Sequence, residues 1–217
     1  MLNYEMTPRP YQMAQRQAAG DKTRERILSS ARQLLLAEDF AHFTMEAVAR
    51  KADVSRLTIY YQFESKAGLL EALYNHIAKS GDMERLAEVF RKGGDPLRTL
   101  REFIEVFARF WASDRDVIRR LHALAAIDSD IGKGIRDRNE RRRNGLRVIV
   151  ERYCNVYPPL TSRQEPVAID TLHMLTSFET FDALTRSERS VAEVVEIIQI
   201  LAYKAIGFTP KFVSRPL

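Results

Sequence analysis

The stretch TMEAVARKADVSRLTIYYQFESKAGLL, Thr44 to Leu70, decides the fold. Thr44 is a hydroxyl N-cap and Glu46 puts an acid in the first turn, where the helix dipole favours it, although Ala47 leaves the capping box incomplete. Val48, Ala49 and Ala52 form an inward face, and the small alanines let a second helix cross at close range. Ala52-Asp53-Val54-Ser55 then reads as a turn: Asp53 tolerates a left-handed backbone, Val54 fills the angle and Ser55 caps the next helix. That helix runs from Arg56 to about Gln62, and the whole is a helix-turn-helix.

The second helix is odd for a core element. Ile59 and Phe63 turn inward, while Arg56, Leu57, Thr58, Tyr60, Tyr61 and Gln62 can reach outward. Such a surface suits the major groove, where Arg pairs with guanine and hydroxyls fix phosphates. We assign base reading to Arg56 and Thr58, phosphate contacts to Thr44, Ser55, Tyr60 and Lys66, and places on the same face to Leu57 and Tyr61. Lys66 follows a further cap, Ser65, beside free helix N–H groups suited to an anion.

The pattern T-M-E-A-V-A followed by V-S-x-x-T-I-Y-x-x-F-x-S-K-x-x-L, preceded by one more helix, resembles the DNA-binding domain of the TetR (tetracycline-repressor-like) regulators over roughly Thr23 to Leu73. Two positions depart from the commonest pattern of that family. Leu57 stands where a small residue or proline is usual, and Gln62 where a His or Tyr often meets a phosphate; both lie on the presumed DNA face, so the resemblance carries over the fold and leaves open which bases are read. The resemblance implies an all-α chain in which an N-terminal three-helix domain precedes a helical ligand-binding and dimerisation domain. It further implies a homodimer on a palindromic double-stranded operator, most often a repressor released by a small molecule.

Composition is consistent with this. The chain has 217 residues with 45% apolar content, enough for a core without staples. The single cysteine, Cys154, excludes an intramolecular disulfide and fits a cytoplasmic setting. No apolar run is long enough to cross a bilayer, and the N-terminus lacks a signal-peptide pattern. The net charge of +5 is unevenly placed. Residues 1–70 hold ten Lys/Arg against eight Asp/Glu, a net of +2, whereas residues 133–152 hold eight against three, a net of +5.

Taken in order, residues 1–20 have no hydrophobic period and read as a flexible arm, either a plain tail or one whose Arg9 and Arg16 touch DNA. Residues 21–70 form the DNA-binding domain, opening with a helix from Asp21 to Ala37, and residues 71–217 form the effector-binding and dimerisation domain. A helix from Ser65 to Ser80 links the two, and Gly93-Gly94-Asp95-Pro96 is the clearest break, with Asp95 as cap. The helix Leu97–Ala112 carries too many large groups for one stripe and must be covered on two sides. Helices over Asp114–Ile127 and then to about Tyr153 follow, the latter with an Arg141-Arg142-Arg143 run that is a solvated face, a nucleic-acid or acidic-partner patch, or an anionic-ligand site. The last pair spans Glu165–Arg186 and Ser190–Ile206.

Catalysis finds no constellation in this sequence. His42, His76, His122 and His173 are scattered, no nucleophile elbow or phosphate loop is visible, and no metal or cofactor is expected. An effector, small and mostly apolar, is expected among Phe107, Phe110, Trp111, Leu121, His122, Tyr153, His173, Met174 and Phe178, against the plainer reading that these fill the core. The dimer seam is expected at Leu172, Leu175, Val191, Val194, Val195, Ile198, Leu201 and Ala202, because the last helix is apolar most of the way round. The alternative function is a DNA-binding structural protein with a filled C-terminal core and no effector.

Overall fold

In a computed structural model of the chain the described residues are 9–37 and 43–208, without the side chains of 9–12 and 16. They are all-α: α1 Arg9–Leu36, α2 Met45–Lys51, α3 Arg56–Phe63, α4 Lys66–Ser80, α5 Arg85–Lys92, α6 Pro96–Ser113, α7 Arg115–Ile127, α8 Ser129–Val156, α9 Gln164–Leu175, α10 Phe178–Thr185 and α11 Val191–Ala205. The chain divides into two compact units, residues 1–74 and 75–217, with the division inside α4. That lies four residues beyond the boundary expected at 70.

In the N-terminal unit, α1 buries Ile27, Leu28, Ala31 and Leu35, and α2 and α3 add Val48, Ala49, Ile59 and Phe63 to the same kind of interior. Thr44 caps α2 by accepting from the Ala47 N–H at 3.1 Å. Ser55 caps α3 by accepting from the Thr58 N–H at 3.0 Å. The turn between them needs a left-handed residue, and Asp53 supplies it at φ 49°. Helix α1 begins at Arg9, so the flexible arm expected over residues 1–20 is helical from that residue on. Its short polar stretch lacks an apolar stripe, which is why periodicity did not reveal it. The proposed DNA contacts of Arg9 and Arg16 concern side chains outside those described, and His42 also lies outside.

In the C-terminal unit α6 is the axis, packed against α5, α7, α8, α10 and α11. Leu100, Phe103, Ile104, Val106, Phe107, Phe110 and Trp111 are all buried along it, as its surplus of large groups requires. Asp95 caps α6, accepting from the Leu97 N–H at 3.3 Å, with Pro96 at the first position. The single helix expected over Glu165–Arg186 is two helices. Ser177 breaks it by capping α10, accepting from the Thr180 N–H at 3.1 Å, while Thr176 turns its carbonyl to the Trp111 indole N–H at 3.1 Å. A tertiary hydrogen bond thus takes a carbonyl that a continuous helix would have used.

Candidate nucleic-acid interface, effector site and dimer seam

The outward face of α3 is open: Leu57 is 79% exposed and Tyr61 88%, while Ile59 and Phe63 on the opposite face are buried. Arg56 forms a 3.0 Å ion pair with Glu46 of α2, and its guanidinium lies 5.4 Å from the centre of the Tyr60 ring. Tyr60 first and then Glu46 raise the Arg56 pKa. The hydroxyls of Ser55 and Thr58 lie 2.8 Å apart and share a hydrogen bond, while Ser55 Oγ also accepts the Thr58 N–H, and both hydroxyls keep spare capacity for a ligand. The Lys66 ammonium sits 6.0 Å from the ring centre of buried Phe43, the neighbour of Thr44. The N-termini of α2 and α4 therefore flank one aromatic ring. Gln62 carries its Oε1 buried and without a hydrogen-bond partner.

Two supporting residues were not found from the sequence. Arg24 of α1 donates to the Gln62 carbonyl at 3.3 Å and its guanidinium lies 4.4 Å over the Phe63 ring, bracing the end of α3. Gly68 lies so close to the Phe63 carbonyl that a Cβ there would be 2.2 Å from the oxygen. Neither carries a periodicity or charge signal that single-sequence reading detects.

The expected effector residues do not form one pocket. Leu121 is buried, and Phe107, Phe110, Trp111 and Phe178 are buried as an aromatic core, with ring centroids of Phe107 and Trp111 5.8 Å apart, of Phe110 and Trp111 4.5 Å apart and of Trp111 and Phe178 5.6 Å apart. The space left there, lined by Ile104, Phe107, Trp111, Thr176 and Phe181 among others, is only about 10 Å³. That holds at most one water. Tyr153 belongs elsewhere: it stacks on Tyr157 at 5.0 Å, and Tyr157 donates its hydroxyl to Asp95 at 2.8 Å. Asp95 begins α6 and Trp111 nears its end, roughly 24 Å along a helix rising ~1.5 Å per residue. Met174 is 59% exposed rather than inward, because the buried stripe of α9 runs through Ala168, Ile169, Leu172 and Leu175 and position 174 lies off it. His173 meets buried Arg142 at 3.0 Å and the Asn139 carbonyl at 3.2 Å. Burial, and then the Arg142 charge, lower its pKa.

His122 edges the aromatic core, its ring centre 6.3 Å from that of Trp111, and lines an open cleft of about 300 Å³ with Arg119, Phe178, Glu179, Asp182, Ala183 and Arg186. Its Nδ1 lies 2.9 Å from Glu179 Oε1. That bond, more than anything else, lowers the Glu179 pKa to about 2. Asp182 is buried and receives Arg115 Nε at 2.7 Å, Arg119 NH2 at 2.6 Å and Arg186 NH2 at 3.0 Å.

Of the residues expected at the dimer seam, Leu172, Leu175, Val194, Ile198 and Ala202 are buried within their own chain and belong to its core. Their side of α11 faces α6 and α9. Val191 and Leu201 are 37% and 42% exposed and Val195 is half-buried. Val167 on α9, 62% exposed, joins them.

The family described as "Bacterial regulatory proteins, tetR family" matches residues 27–73. Over 107 residues the chain is 33% identical to the HTH-type transcriptional regulator EthR of Mycolicibacterium smegmatis, covering 49% of this chain and 48% of that one. Over 62 residues it is 40% identical to the uncharacterized HTH-type transcriptional regulator YvkB of Bacillus subtilis, covering 28% and 33%. The matched segments thus span half or less of these curated relatives. Among solved structures, NalD of Pseudomonas aeruginosa, the secondary repressor of the MexAB-OprM multidrug efflux pump, superposes with a TM-score of 0.65 at 21% identity over 86% of this chain and 97% of that one. A putative TetR-family regulator of Syntrophomonas wolfei superposes at 0.69 and 14% identity over 90% and 99%. The structural likenesses concern the fold, while the family match covers the helix-turn-helix and makes residues 27–73 a DNA-binding segment of the TetR family.

Proposed function

We propose that the chain is a sequence-specific DNA-binding transcriptional regulator that acts as a homodimer on a palindromic operator, with repression relieved by a small effector. The observation that carries the DNA reading is the exposure of Leu57 and Tyr61 on a helix whose other face is fully anchored. An apolar group held in water at the N-terminal end of α3 gains by meeting a thymine methyl, and Arg56 beside it suits guanine. Arg56→Ala should cost about 1–3 kcal/mol on the preferred site and relax one of its positions. Lys66→Ala should weaken all sequences alike and reduce the salt slope by about one unit. Selection and sequencing of DNA bound by the purified protein, followed by titrations at several salt concentrations, tests both. Equal losses on random and selected DNA for Arg56→Ala would remove it from base reading.

The dimer is expected to close through Val167, Val191 and Leu201 rather than through the buried residues of α11. Leu201→Asp should then convert dimer to monomer in sedimentation velocity with the protomer still helical. Ile198→Asp should instead unfold the C-terminal unit, since a buried unpaired charge costs about 3–5 kcal/mol. A Leu201→Asp protein sedimenting as the parent dimer would place the seam elsewhere.

One observation favours the second reading, a DNA-binding protein without an effector: the interior beside Trp111 is filled. An effector of the regulator must therefore use a site other than the aromatic core in this conformation, or open that core.

A further inference from the structure

The cleft at His122 has features that core packing does not require. Arg115, Arg119 and Arg186 converge on one buried carboxylate, Asp182, while the Glu179 carboxylate is committed to His122. Asp116 offsets part of the surplus by pairing with Arg119 at 2.7 Å, but its side chain is 70% exposed. Arg186, 68% exposed, uses a single N–H on Asp182 and lies at the cleft with its remaining donors available. Phe178 supplies an apolar wall, its ring 4.9 Å from that of His122. His122 Nδ1 is taken by Glu179, while Nε2, the other ring nitrogen, is buried and has no hydrogen-bond partner; in the tautomer whose Nδ1 donates, Nε2 is an acceptor.

We propose that this cleft binds a small hydroxylated aromatic carboxylate. Its carboxylate would lie on Arg186, since Arg119 is taken up by Asp182 and Asp116, its ring would lie against Phe178, and its hydroxyl would donate to His122 Nε2 once the imidazole tilts from its buried position. Arginine is the side chain suited to a carboxylate, because its planar fork gives two parallel charge-assisted bonds. A cleft of about 300 Å³ has room for one such ring and not for a long chain. The assignment names the effector class for the regulator proposed above and rests on that reading only for its consequence on DNA.

The test is isothermal titration calorimetry of the full chain without DNA, using 4-hydroxybenzoate, benzoate and 4-hydroxybenzamide. We expect saturable binding of 4-hydroxybenzoate with a Kd below about 1 mM, at least about tenfold weaker binding of the amide, and an intermediate value for benzoate. Arg186→Gln should weaken the carboxylates about tenfold and leave the amide unchanged, while Arg186→Lys should recover part of the loss. Absence of saturable binding, equal binding of acid and amide, or an unchanged Kd in Arg186→Gln would each overturn the proposal. None of these outcomes touches DNA binding, which the selection experiment judges separately. If 4-hydroxybenzoate binds as expected, operator affinity should fall in its presence by the same factor as bound operator weakens the acid, because coupling is reciprocal.

Discussion

Gly68→Ala is expected to abolish operator binding and to lower the stability of the N-terminal unit by about 3 kcal/mol, the upper end of ordinary overpacking. Gly68 lies in the first turn of α4, where its N–H donates to the Ser65 hydroxyl at 3.0 Å. Helical backbone tolerates alanine, so the cost comes from space. A Cβ would fall 2.2 Å from the Phe63 carbonyl oxygen. That oxygen is backbone, held in a reversal where Glu64 adopts φ 63° and the Ser65 N–H donates to Phe63 at 2.6 Å. Relief requires α3 to move relative to α4, and with it the angle at which Arg56, Leu57 and Tyr61 are presented. Gly20→Ala is the internal control. It lies within α1 with nothing near its Cβ, so alanine there should stabilise the helix by about 0.5–1 kcal/mol. Chemical denaturation with an operator titration measures both, and a Gly68→Ala protein that matches the parent in each would show that the α3–α4 reversal is free to adjust.

The second large effect is expected from Asp182→Asn, which leaves the guanidinium groups of Arg115, Arg119 and Arg186 without their shared anion. Removing one partner of a buried ion pair costs ~3–5 kcal/mol, and the partial exposure of the arginines brings the expectation to about 3 kcal/mol. For a unit of this size that is a drop in Tm of roughly 6–12 °C at neutral pH. The sign with pH follows from the shifts. Burial by itself would raise the Asp182 pKa, but the hydrogen bonds from Arg119 and Arg115 outweigh it and hold the group below its ordinary range. Glu179 is lowered to about 2 by His122. Both carboxylates therefore contribute stability that is present above the ordinary carboxylate pKa and lost as pH falls below it. The gap between parent and Asp182→Asn should accordingly be constant from pH 8 to about 5 and narrow towards pH 2, where calorimetric melting curves can follow it. A gap that does not narrow would mean that the asparagine acts through packing rather than charge.

The helix-turn-helix was legible in the sequence because its determinants are local. Thr44, Ser55, Ser65 and Asp95 cap helices through hydrogen bonds spanning two or three residues, and Asp53 takes the left-handed turn its side chain tolerates. The surplus of large groups on α6 likewise announced an axis covered on two sides. What the sequence could not decide were relations between distant segments. Whether Trp111 lined a cavity or filled one depended on how α6, α9 and α10 close, and the indole N–H bonded to the Thr176 carbonyl, 65 residues away, both breaks the last helix pair and helps fill the space. The same holds for the apolar stripe of α11, whose periodicity fits a partner subunit and the chain's own core equally well. Only packing assigned Val194, Ile198 and Ala202 to the core and left Leu201 at the surface. Hydrophobic periodicity reports that a face is buried, not what buries it. The convergence of three arginines from α7 and the end of α10 on Asp182 is tertiary for the same reason: charge identity is written in the sequence, but distance is not.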